Sequence, residues 1–293
     1  MSETTAKAWE YLVDHKQPLI VTGALGRLGR LLRLSEDSNY FSYFSMVWLA
    51  RQAGQGLLGW DMLRDTAPDL PKGGILLHLA GALPGRGQSS ALSDNPDMAQ
   101  AVLAADRRQP FAHVVFVSTV AVYAPRAEAI PETVLPAPQN DYGRAKLLSE
   151  TLLADGLGSR LTILRLANLA GADALLGGAA RDVVLDPVVG QPGGPLRSYI
   201  GPQMLTQVIA SLLGRIASGT PLPPILNLAQ PGTVAMADLL AVSGKNWRFG
   251  PYKAETVPKV EVDVTLLTTL HALPTASAAE LWADLRGLNG VWP

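Results

Sequence analysis

Short apolar runs, bounded by turn residues, alternate with longer periodic segments along the first part of the chain. Runs of this length predict buried strands, at residues 18–23, 45–50, 56–61, 73–81, 113–123 and 160–168. The periodic segments predict helices, at residues 4–16, 25–34, 94–108 and 141–155. Because parallel strands are joined by right-handed crossovers, this alternation predicts an α/β fold with a doubly wound, Rossmann-type parallel sheet.

The pattern changes after residue 170, where Gly and Pro become frequent and no long period persists. The elements predicted there are helices at 203–217, 235–243 and 276–286 and a strand at 224–229. We expect one domain over residues 1–170, to which residues 202–230 return. A small C-terminal region is expected over residues 171–201 and 231–293. In such folds ligands bind beyond the carboxyl ends of the strands, so motifs at those ends carry the functional interpretation.

Composition narrows the classes of partner. The 293 residues carry a net charge of −1 and no Cys, and the His are far apart, at His15, His78, His113 and His271. We therefore expect no nucleic-acid partner, no disulfide framework and no histidine metal site. No apolar run reaches about 18 residues, and the N-terminus lacks the pattern of a secretory signal. These features predict a cytoplasmic protein without a membrane partner.

A glycine turn follows the first predicted strand, in the sequence "TGALGRLG" at residues 22–29. Gly23 permits a tight turn, Gly26 lets the backbone approach a pyrophosphate, and Gly29 allows close packing of helix and strand. The helix start adds free N–H groups and a positive dipole end. The turn residues that we expect to bind a dinucleotide are Gly23, Leu25, Gly26, Arg27, Leu28 and Gly29. The alternative is a merely structural turn.

The end of the second strand bears on which dinucleotide is bound. A carboxylate there would bind the ribose 2′-hydroxyl of NAD, but this strand ends in Ala50 and Arg51. A guanidinium suits phosphate oxygens, so Arg51 favours NADP over NAD; the alternative is a solvated arginine. Asp61 and Met62 follow the third strand and are placed to contact the adenine. For Asp61, a helix cap is the alternative.

Three chemical groups predict a proton-transfer site: a hydroxyl, from Ser118 and Thr119 at the end of the fifth strand, and the phenol of Tyr142 and the ammonium of Lys146 in the following helix. Four residues apart in a helix, Tyr142 and Lys146 share one face. Lowering the pKa of a tyrosine from about 10 to about 7 takes roughly 4 kcal/mol, which a lysine ammonium and an oxidised nicotinamide can supply. Thr119 would hold the reacting oxygen. In isolation, the Tyr–Lys pair would be an ordinary exposed helix pair.

Taken together, these motifs resemble the extended short-chain dehydrogenase/reductase family, the group of NAD-dependent epimerases and dehydratases. The resemblance covers about residues 18–245. Its further motifs are "LLHLAG" (76–81), Asn95, "STVAVY" (118–123), "YGRAK" (142–146), "LRLANLAG" (164–171), "RSYI" (197–200) and "NLAQPGTVAMADLL" (227–240). It implies an NAD(P)-dependent oxidoreductase or epimerase that transfers hydride at a hydroxyl or keto group of a sugar or sugar-nucleotide-like substrate.

The resemblance also implies roles for individual residues. Tyr142 is the expected acid/base, Lys146 activates it and binds the nicotinamide ribose, and Thr119 is the expected catalytic hydroxyl. The other residues expected at the cofactor are Leu79, Ala80, Gly81 and Ser118. Asn168 and Arg197 stand where relatives contact a substrate sugar or diphosphate; a loop-fixing amide and a surface arginine are the alternatives. Residues 171–201 and 231–293 would form the substrate-binding region.

Two departures from the family pattern narrow the reaction and the substrate. Dehydratases of this family follow the threonine with Asp-Glu, but Val120 and Ala121 stand here, which disfavours 4,6-dehydration. The stretch from Gly171 to Arg197 is shorter than in typical nucleotide-sugar epimerases, which favours a smaller or more loosely held substrate.

Two other functions remain open: a non-catalytic NAD(P)-binding sensor on the same fold, and an assembly subunit with a vestigial site. The helices at 94–108 and 141–155 resemble those that form a dimer interface in relatives, so we expect a homodimer. The apolar positions Leu147, Leu148, Leu152 and Leu153 could serve that interface or the core, and we expect the core.

Overall fold

The computed structural model describes residues 16–36, 39–83, 91–177 and 182–288. The predicted helix at 4–16 therefore lies outside the described residues, apart from its last position. Among the described residues, no helix is both long enough and apolar enough to cross a membrane.

The strands occur in two groups along the chain. The first group contains β1 (Gln17–Thr22), β2 (Phe44–Ala50), β3 (Leu58–Gly59), β4 (Ile75–His78), β5 (His113–Thr119) and β6 (Leu161–Leu166). The second contains β7 (Asn168–Leu169), β8 (Asp182–Leu185), β9 (Leu196–Arg197), β10 (Tyr199–Ile200), β11 (Ile225–Leu228), β12 (Val234–Ala235), β13 (Asn246–Phe249) and β14 (Lys259–Val260).

The helices alternate with the strands of the first group and continue to the end of the described chain. They are α1 (Arg27–Leu34), α2 (Asp94–Arg108), α3 (Asp141–Leu157), α4 (Pro202–Ala217), α5 (Met236–Ser243), α6 (Thr265–Leu270) and α7 (Ala278–Arg286). Short 3-10 turns are formed by Asn39–Phe41, Val120–Val122 and Gly158–Arg160.

The main sheet has the doubly wound order that the alternation predicted. Within the described residues, seven strands lie in the order β11-β6-β5-β4-β1-β2-β3, and the pairings of β1 with β2 and β4 are parallel. The chain builds outward from β1 through β2 to β3, then returns to the other side of β1 at β4. This reversal opens a crevice beyond the carboxyl ends of β1 and β4, where Thr22 pairs in register with His78.

Buried apolar side chains of the strands form the core beneath this crevice. Ile20, Leu76, Val114 and Phe116, each at most 1% exposed, pack in one cluster with α2 and α3 side chains such as Leu153. Complete burial of one such side chain contributes about 1.5–3 kcal/mol. The continuous apolar runs therefore identified strands that are covered on both faces.

Contacts between Cα atoms divide the chain into two compact units. The first comprises residues 1–122, 138–164 and 209–225, and the second 123–137, 165–208 and 226–293. The second unit has its own apolar cluster, in which Tyr199 and Leu239 are buried, and small sheets of two or three strands. These ranges differ from the expected domain boundaries most clearly at residues 123–137. That segment joins the second unit through bonds from Asn227 Nδ2 to Ile130 O (2.8 Å) and from Tyr123 Oη to Asn227 Oδ1 (2.9 Å).

The burial pattern of α3 corrects one expectation. Leu153 is fully buried, as expected, but Leu148 is 50% exposed and Leu147 and Leu152 are only half-buried. The polar residues Lys146 and Glu150 lie on the buried face instead, at 4% and 3% exposure. The helix thus buries two charged side chains while Leu148 is exposed to solvent, which a rule based on an apolar helix face cannot predict.

Candidate functional site

A cavity of about 450 Å³ lies at the crevice beyond β1 and β4. Its walls are supplied by the glycine turn, the end of β2, the residues after β3 and the residues after β4. The predicted cofactor residues among its lining are Gly23, Leu25, Gly26, Arg51, Asp61, Met62, Leu79, Ala80 and Gly81. Arg27, Leu28 and Gly29 form the first turn of α1, beside this lining.

The glycine turn is built so closely that side chains would not fit. Gly23 has a φ of +75°, and a Cβ there would lie 2.7 Å from the Ala80 backbone nitrogen. A Cβ at Gly29 would collide with the Gly23 carbonyl oxygen. No side chain caps the N-terminus of α1 at Gly26, and the positive end of a helix dipole suits an anion. The turn therefore fits a dinucleotide pyrophosphate.

The two residues directly after β2 bring a guanidinium and no carboxylate to the cavity wall. Arg51 and Gln52 line the wall there, and both are exposed. Asp61 accepts a hydrogen bond from the Leu63 N–H (3.2 Å), so its carboxylate also closes the turn after β3. Asp61 therefore lines the cavity and closes a turn, but it caps no helix, because residues 61–74 contain none.

The opposite wall leads to the predicted lysine. A Cβ on Gly81 would lie 4.0 Å from Lys146 Nζ and 3.0 Å from Asn95 Oδ1. The Asn95 side chain accepts from the Ala82 N–H and donates to the Ala82 carbonyl oxygen, both at 3.1 Å, and so fixes this loop. Gly23, Ala80, Gly81 and Lys146 therefore form a continuous path from the glycine turn to the ammonium.

Thr22 and His78 close the floor of the crevice, and neither was among the predicted site residues. Thr22 Oγ1 accepts from the N–H groups of Leu79 (3.2 Å) and Ala80 (3.3 Å), which leaves its hydroxyl proton for His78 Nδ1 at 2.7 Å. Burial, together with the charge of Lys146, lowers the pKa of His78 to about 3, so the ring is neutral. The sequence signal that could have identified Thr22 and His78 is that each is a single polar residue at the end of an apolar strand.

The start of α3 places Tyr142 beside the end of β5. Asn140 caps this helix by accepting from the Gly143 N–H at 2.8 Å. A Cβ on Gly143 would collide with the carbonyl oxygen of Ala121, in the turn that follows Thr119. Thr119 Oγ1 accepts from the Ala121 N–H at 3.2 Å. The absence of a side chain at Gly143 thus lets the Tyr142 segment approach the Thr119 segment closely.

Lys146 is held by the strand beneath it. Its ammonium donates to the Val117 carbonyl oxygen at 2.8 Å and lies 4.0 Å from the centre of the Phe116 ring. Burial lowers the pKa of Lys146 to about 7, while the charge of Glu150 acts in the opposite direction. Ser118, predicted at the cofactor, donates its hydroxyl to Glu150 Oε1 in the buried interior.

Burial also acts on the phenol. Burial raises the pKa of the Tyr142 side chain to about 12. This is the direction opposite to that required of a base at neutral pH. The required lowering must therefore come from positive charge close to the phenol, such as a charged Lys146 and an oxidised nicotinamide.

The predicted substrate residues Asn168 and Arg197 belong to the second unit, whereas Thr119, Tyr142 and Lys146 belong to the first. Asn168 Nδ2 donates to the Ser198 carbonyl oxygen at 3.1 Å. The two terminal nitrogens of Arg197 donate to the carbonyl oxygens of Leu196 (2.8 Å) and Val257 (2.9 Å). Burial lowers the pKa of Arg197. Among the residues that the structure covers, no cluster of three His, Cys, Asp or Glu side chains could hold a metal ion.

Comparison with known proteins gives one family match and one curated relative. The model of the NAD dependent epimerase/dehydratase family matches residues 57–184. A UDP-glucose 4-epimerase of Azospirillum brasilense is 48% identical over 64 residues, which are 20% of this chain. The alignment spans only 18% of that relative's length.

Several solved structures share the fold over almost the whole chain. A UDP-glucuronic acid 4-epimerase from Bacillus cereus, in complex with UDP-glucuronic acid and NAD, has a TM-score of 0.71 at 17% identity and covers 94% of this chain and 100% of its own. A UDP-glucose 4-epimerase from Stenotrophomonas maltophila with bound NAD reaches 0.72 at 17% identity, covering 93% and 97%. An NAD-dependent NDP-hexosamine 5,6-dehydratase reaches 0.69 at 17% identity, covering 92% and 98%. At this identity the similarity shows the fold, which is that of the extended epimerases and dehydratases.

Proposed function

Residues 57–184 match the NAD-dependent epimerase/dehydratase family, and on that premise we propose that this chain binds NAD(P) and transfers hydride at a hydroxyl or keto carbon of a sugar-like substrate. The observation that carries the proposal is the path from the glycine turn through Ala80 and Gly81 to Lys146 Nζ. This path connects a crevice that suits a pyrophosphate with the buried ammonium of Lys146, one of the residues predicted for proton transfer.

The crevice residues fit a dinucleotide in shape and in charge. In shape, Gly23 packs so closely on the Ala80 backbone that no Cβ fits between them, which holds the glycine turn beside the residues after β4. The first turn of α1 offers N–H donors to the pyrophosphate. When bound, the dinucleotide supplies a nicotinamide that accepts hydride from the substrate carbon or returns it.

The chain's own groups would manage the proton. Tyr142 accepts the proton of the substrate hydroxyl when the carbon is oxidised and returns it when the carbonyl is reduced. Lys146 stabilises the phenolate by its charge and stays oriented by the Val117 carbonyl oxygen, 2.8 Å away. Thr119 orients the substrate oxygen by a hydrogen bond. Asn168 and Arg197 are proposed substrate contacts, and the desolvated guanidinium of Arg197 would favour an anionic group.

The residues after Thr119 support oxidation, reduction or epimerisation rather than 4,6-dehydration. Val120–Val122 form a 3-10 turn, and no carboxyl group is present at these positions. Elimination of water needs an acid and a base at the sugar, which Val120 and Ala121 cannot supply. An epimerase returns hydride to the same substrate and retains its cofactor, whereas a dehydrogenase releases the changed nicotinamide. Cofactor that survives purification would support the epimerase.

Replacement of Tyr142 by Phe tests the proposal. We expect turnover to fall at least about a hundredfold, because general acid–base catalysis contributes about 10²–10⁴ in rate. The dissociation constant for NAD(P) should stay within about twofold, since the phosphate and ribose contacts remain. Tyr252→Phe, at a side chain that is 62% exposed, is the matched control.

Unchanged turnover in Tyr142→Phe would reject the catalytic role. If the wild-type chain binds NADP tightly yet converts no compound in a broad carbonyl and sugar panel, the sensor function replaces this proposal.

A further inference from the structure

Glu150 is a buried carboxyl group that the proton-transfer site described above does not use. It is 3% exposed, lies one helical turn after Lys146 in α3, and accepts a hydrogen bond from the Ser118 hydroxyl. A buried carboxylate is costly unless it is paired and hydrogen-bonded, so its presence beneath the candidate site requires a reason.

Lys146 and Glu150 attach α3 to consecutive residues of β5. Lys146 Nζ donates to the Val117 carbonyl oxygen at 2.8 Å, and the Ser118 hydroxyl donates to Glu150 Oε1. Thr119 is the next residue of the strand. The two bonds therefore fix the register of the helix that carries Tyr142 against the strand end that carries Thr119.

The charge of Glu150 has a separate effect from its hydrogen bond. Lys146 is surrounded by the Phe116 ring and buried backbone, and burial lowers its pKa to about 7. Glu150 is the group whose charge opposes that shift. A neutral amine cannot stabilise a phenolate, so loss of this carboxylate would weaken the effect of Lys146 on Tyr142.

Other charged groups lie on the elements around α3, and on β6, which neighbours β5 in the sheet, Arg165 is buried at 2% exposure. On β4, His78 is neutral because burial and Lys146 hold its pKa near 3. On α2, Asp106 accepts bonds from Arg160 at 2.7 Å. The remaining charged groups of α2 are the half-buried Asp94 and the exposed Asp97, Arg107 and Arg108.

We propose that Glu150 is a positioning residue of the proton-transfer site: together with Lys146 it ties the helix that carries Tyr142 to the end of β5 that carries Thr119, and it places a buried carboxylate one helical turn from the Lys146 ammonium. This inference rests on the proposed function for its consequence in catalysis. The electrostatic part does not depend on a substrate, because it concerns the protonation of two side chains of the chain itself.

Titration by NMR tests the inference without a substrate. The full chain is labelled with ¹⁵Nζ-lysine and ¹³Cζ-tyrosine, and the signals are assigned with Lys146→Met and Tyr142→Phe. In Glu150→Gln, which keeps an oxygen acceptor for Ser118 but loses the charge, we expect the pKa of Lys146 to fall by at least about one unit. With NAD present, the pKa of Tyr142 should rise by about one unit. Glu150→Asp, which keeps the charge, should restore most of both values.

Two results would overturn the inference. The first is that the pKa values of Lys146 and Tyr142 do not change in Glu150→Gln. The second is that Glu150→Gln and Glu150→Asp shift both pKa values equally, which would indicate that Glu150 acts by packing alone. If Glu150→Gln does not fold, a titration of the wild-type chain tests the inference instead. A ¹³Cδ label on Glu150 must then report an inflection at the pH where Lys146 loses its proton, because interacting groups titrate together. A curve without that inflection rejects the pairing. Activity of Tyr142→Phe would instead reject the proposed function while leaving these titrations intact.

Discussion

At the scale of single residues, burial dominates the acid–base chemistry of the candidate site. It raises the pKa of Tyr142 to about 12 and lowers that of Lys146 to about 7, so each side chain is driven toward its neutral form. Opposite charges reverse such shifts: a cation favours the phenolate and an anion favours the ammonium. In the proposed mechanism the proton transfer would depend on three charges in sequence, those of Glu150, Lys146 and Tyr142, rather than on one unusual side chain.

We propose that Arg51 sets the preference between the two dinucleotides. Because a hydrogen bond to a charged group contributes about 1.5–3 kcal/mol and this side chain is exposed, we expect Arg51→Ala to weaken NADP binding about tenfold. The dissociation constant for NAD should stay within about twofold. Isothermal titration calorimetry with both dinucleotides measures the difference.

The control is Arg30→Ala, which removes the same charge from an exposed position of α1. Equal losses for NAD and NADP in Arg51→Ala would show that Arg51 does not recognise the 2′-phosphate. A similar loss in Arg30→Ala would indicate a general charge effect.

At the scale of elements, the site depends on how closely α3 approaches the end of β5. Two features set that approach: the side-chain cap of Asn140, which fixes where the helix starts, and Gly143, which has no side chain to hold Ala121 away. A similar close contact occurs in the glycine turn between β1 and α1, where Gly29 packs against the Gly23 carbonyl oxygen and leaves no space for a side chain. In both places a backbone-to-backbone contact positions the functional residues.

Gly143→Ala tests the closeness of this approach. Its Cβ would meet the Ala121 carbonyl oxygen and lie 2.9 Å from Pro138 Cβ, so the helix start must shift. Overpacking of this kind costs about 1–3 kcal/mol, and we expect the free energy of unfolding to fall by that amount. Turnover should fall at least about tenfold because Tyr142 moves with the helix. Chemical denaturation and steady-state rates measure the two effects.

Gly156→Ala is the matched control, since the same substitution in the same helix meets only the flexible end of the Leu103 side chain. It should be neutral or stabilising, because alanine favours helix over glycine by about 1 kcal/mol. Equal stability of the two variants would show that the Gly143 contact is not limiting.

At the scale of the whole molecule, the surface of α2 and α3 exposes apolar side chains. Leu148 is 50% exposed, and Leu147 and Leu152 are half-buried. A groove of about 860 Å³ between α2 and the residues after β3 includes Leu103 and, from α3, Leu152. Exposed apolar side chains that adjoin one another often mark an interaction surface. We propose that this face joins two copies of the chain.

A charge placed on this face should separate the copies. We expect the wild type to be a dimer at micromolar concentration and Leu148→Glu to be a monomer, because an interface cannot bury an unpaired carboxylate cheaply. Light scattering after size-exclusion chromatography gives both masses. Leu135→Glu, at a side chain that is 86% exposed in the second unit, should remain dimeric. A monomeric wild type, or equal behaviour of the two variants, contradicts the prediction.

Much of the fold was determined by the sequence through local pattern. Apolar runs located β1, β2, β5 and β6 within a few residues, and periodicity located α2 from Asp94 to Arg108 as predicted. The short elements of the second unit, such as β8 and α6, were not predicted because two to six residues are too few to establish a period. Their positions depend on pairing with distant segments.

The sequence by itself determined which residue types stand at the strand ends, the glycine turn and Thr119, and which stand in the helix after β5, Tyr142 and Lys146. Only the tertiary structure decided that Lys146 and Glu150 face the sheet while Leu148 faces outward, and that Gly81 lies next to the ammonium. The reason is physical. A periodic pattern reports which side of a helix is apolar on average, whereas a buried charge is stabilised by individual partners such as Val117 and Ser118, which lie far away in the chain.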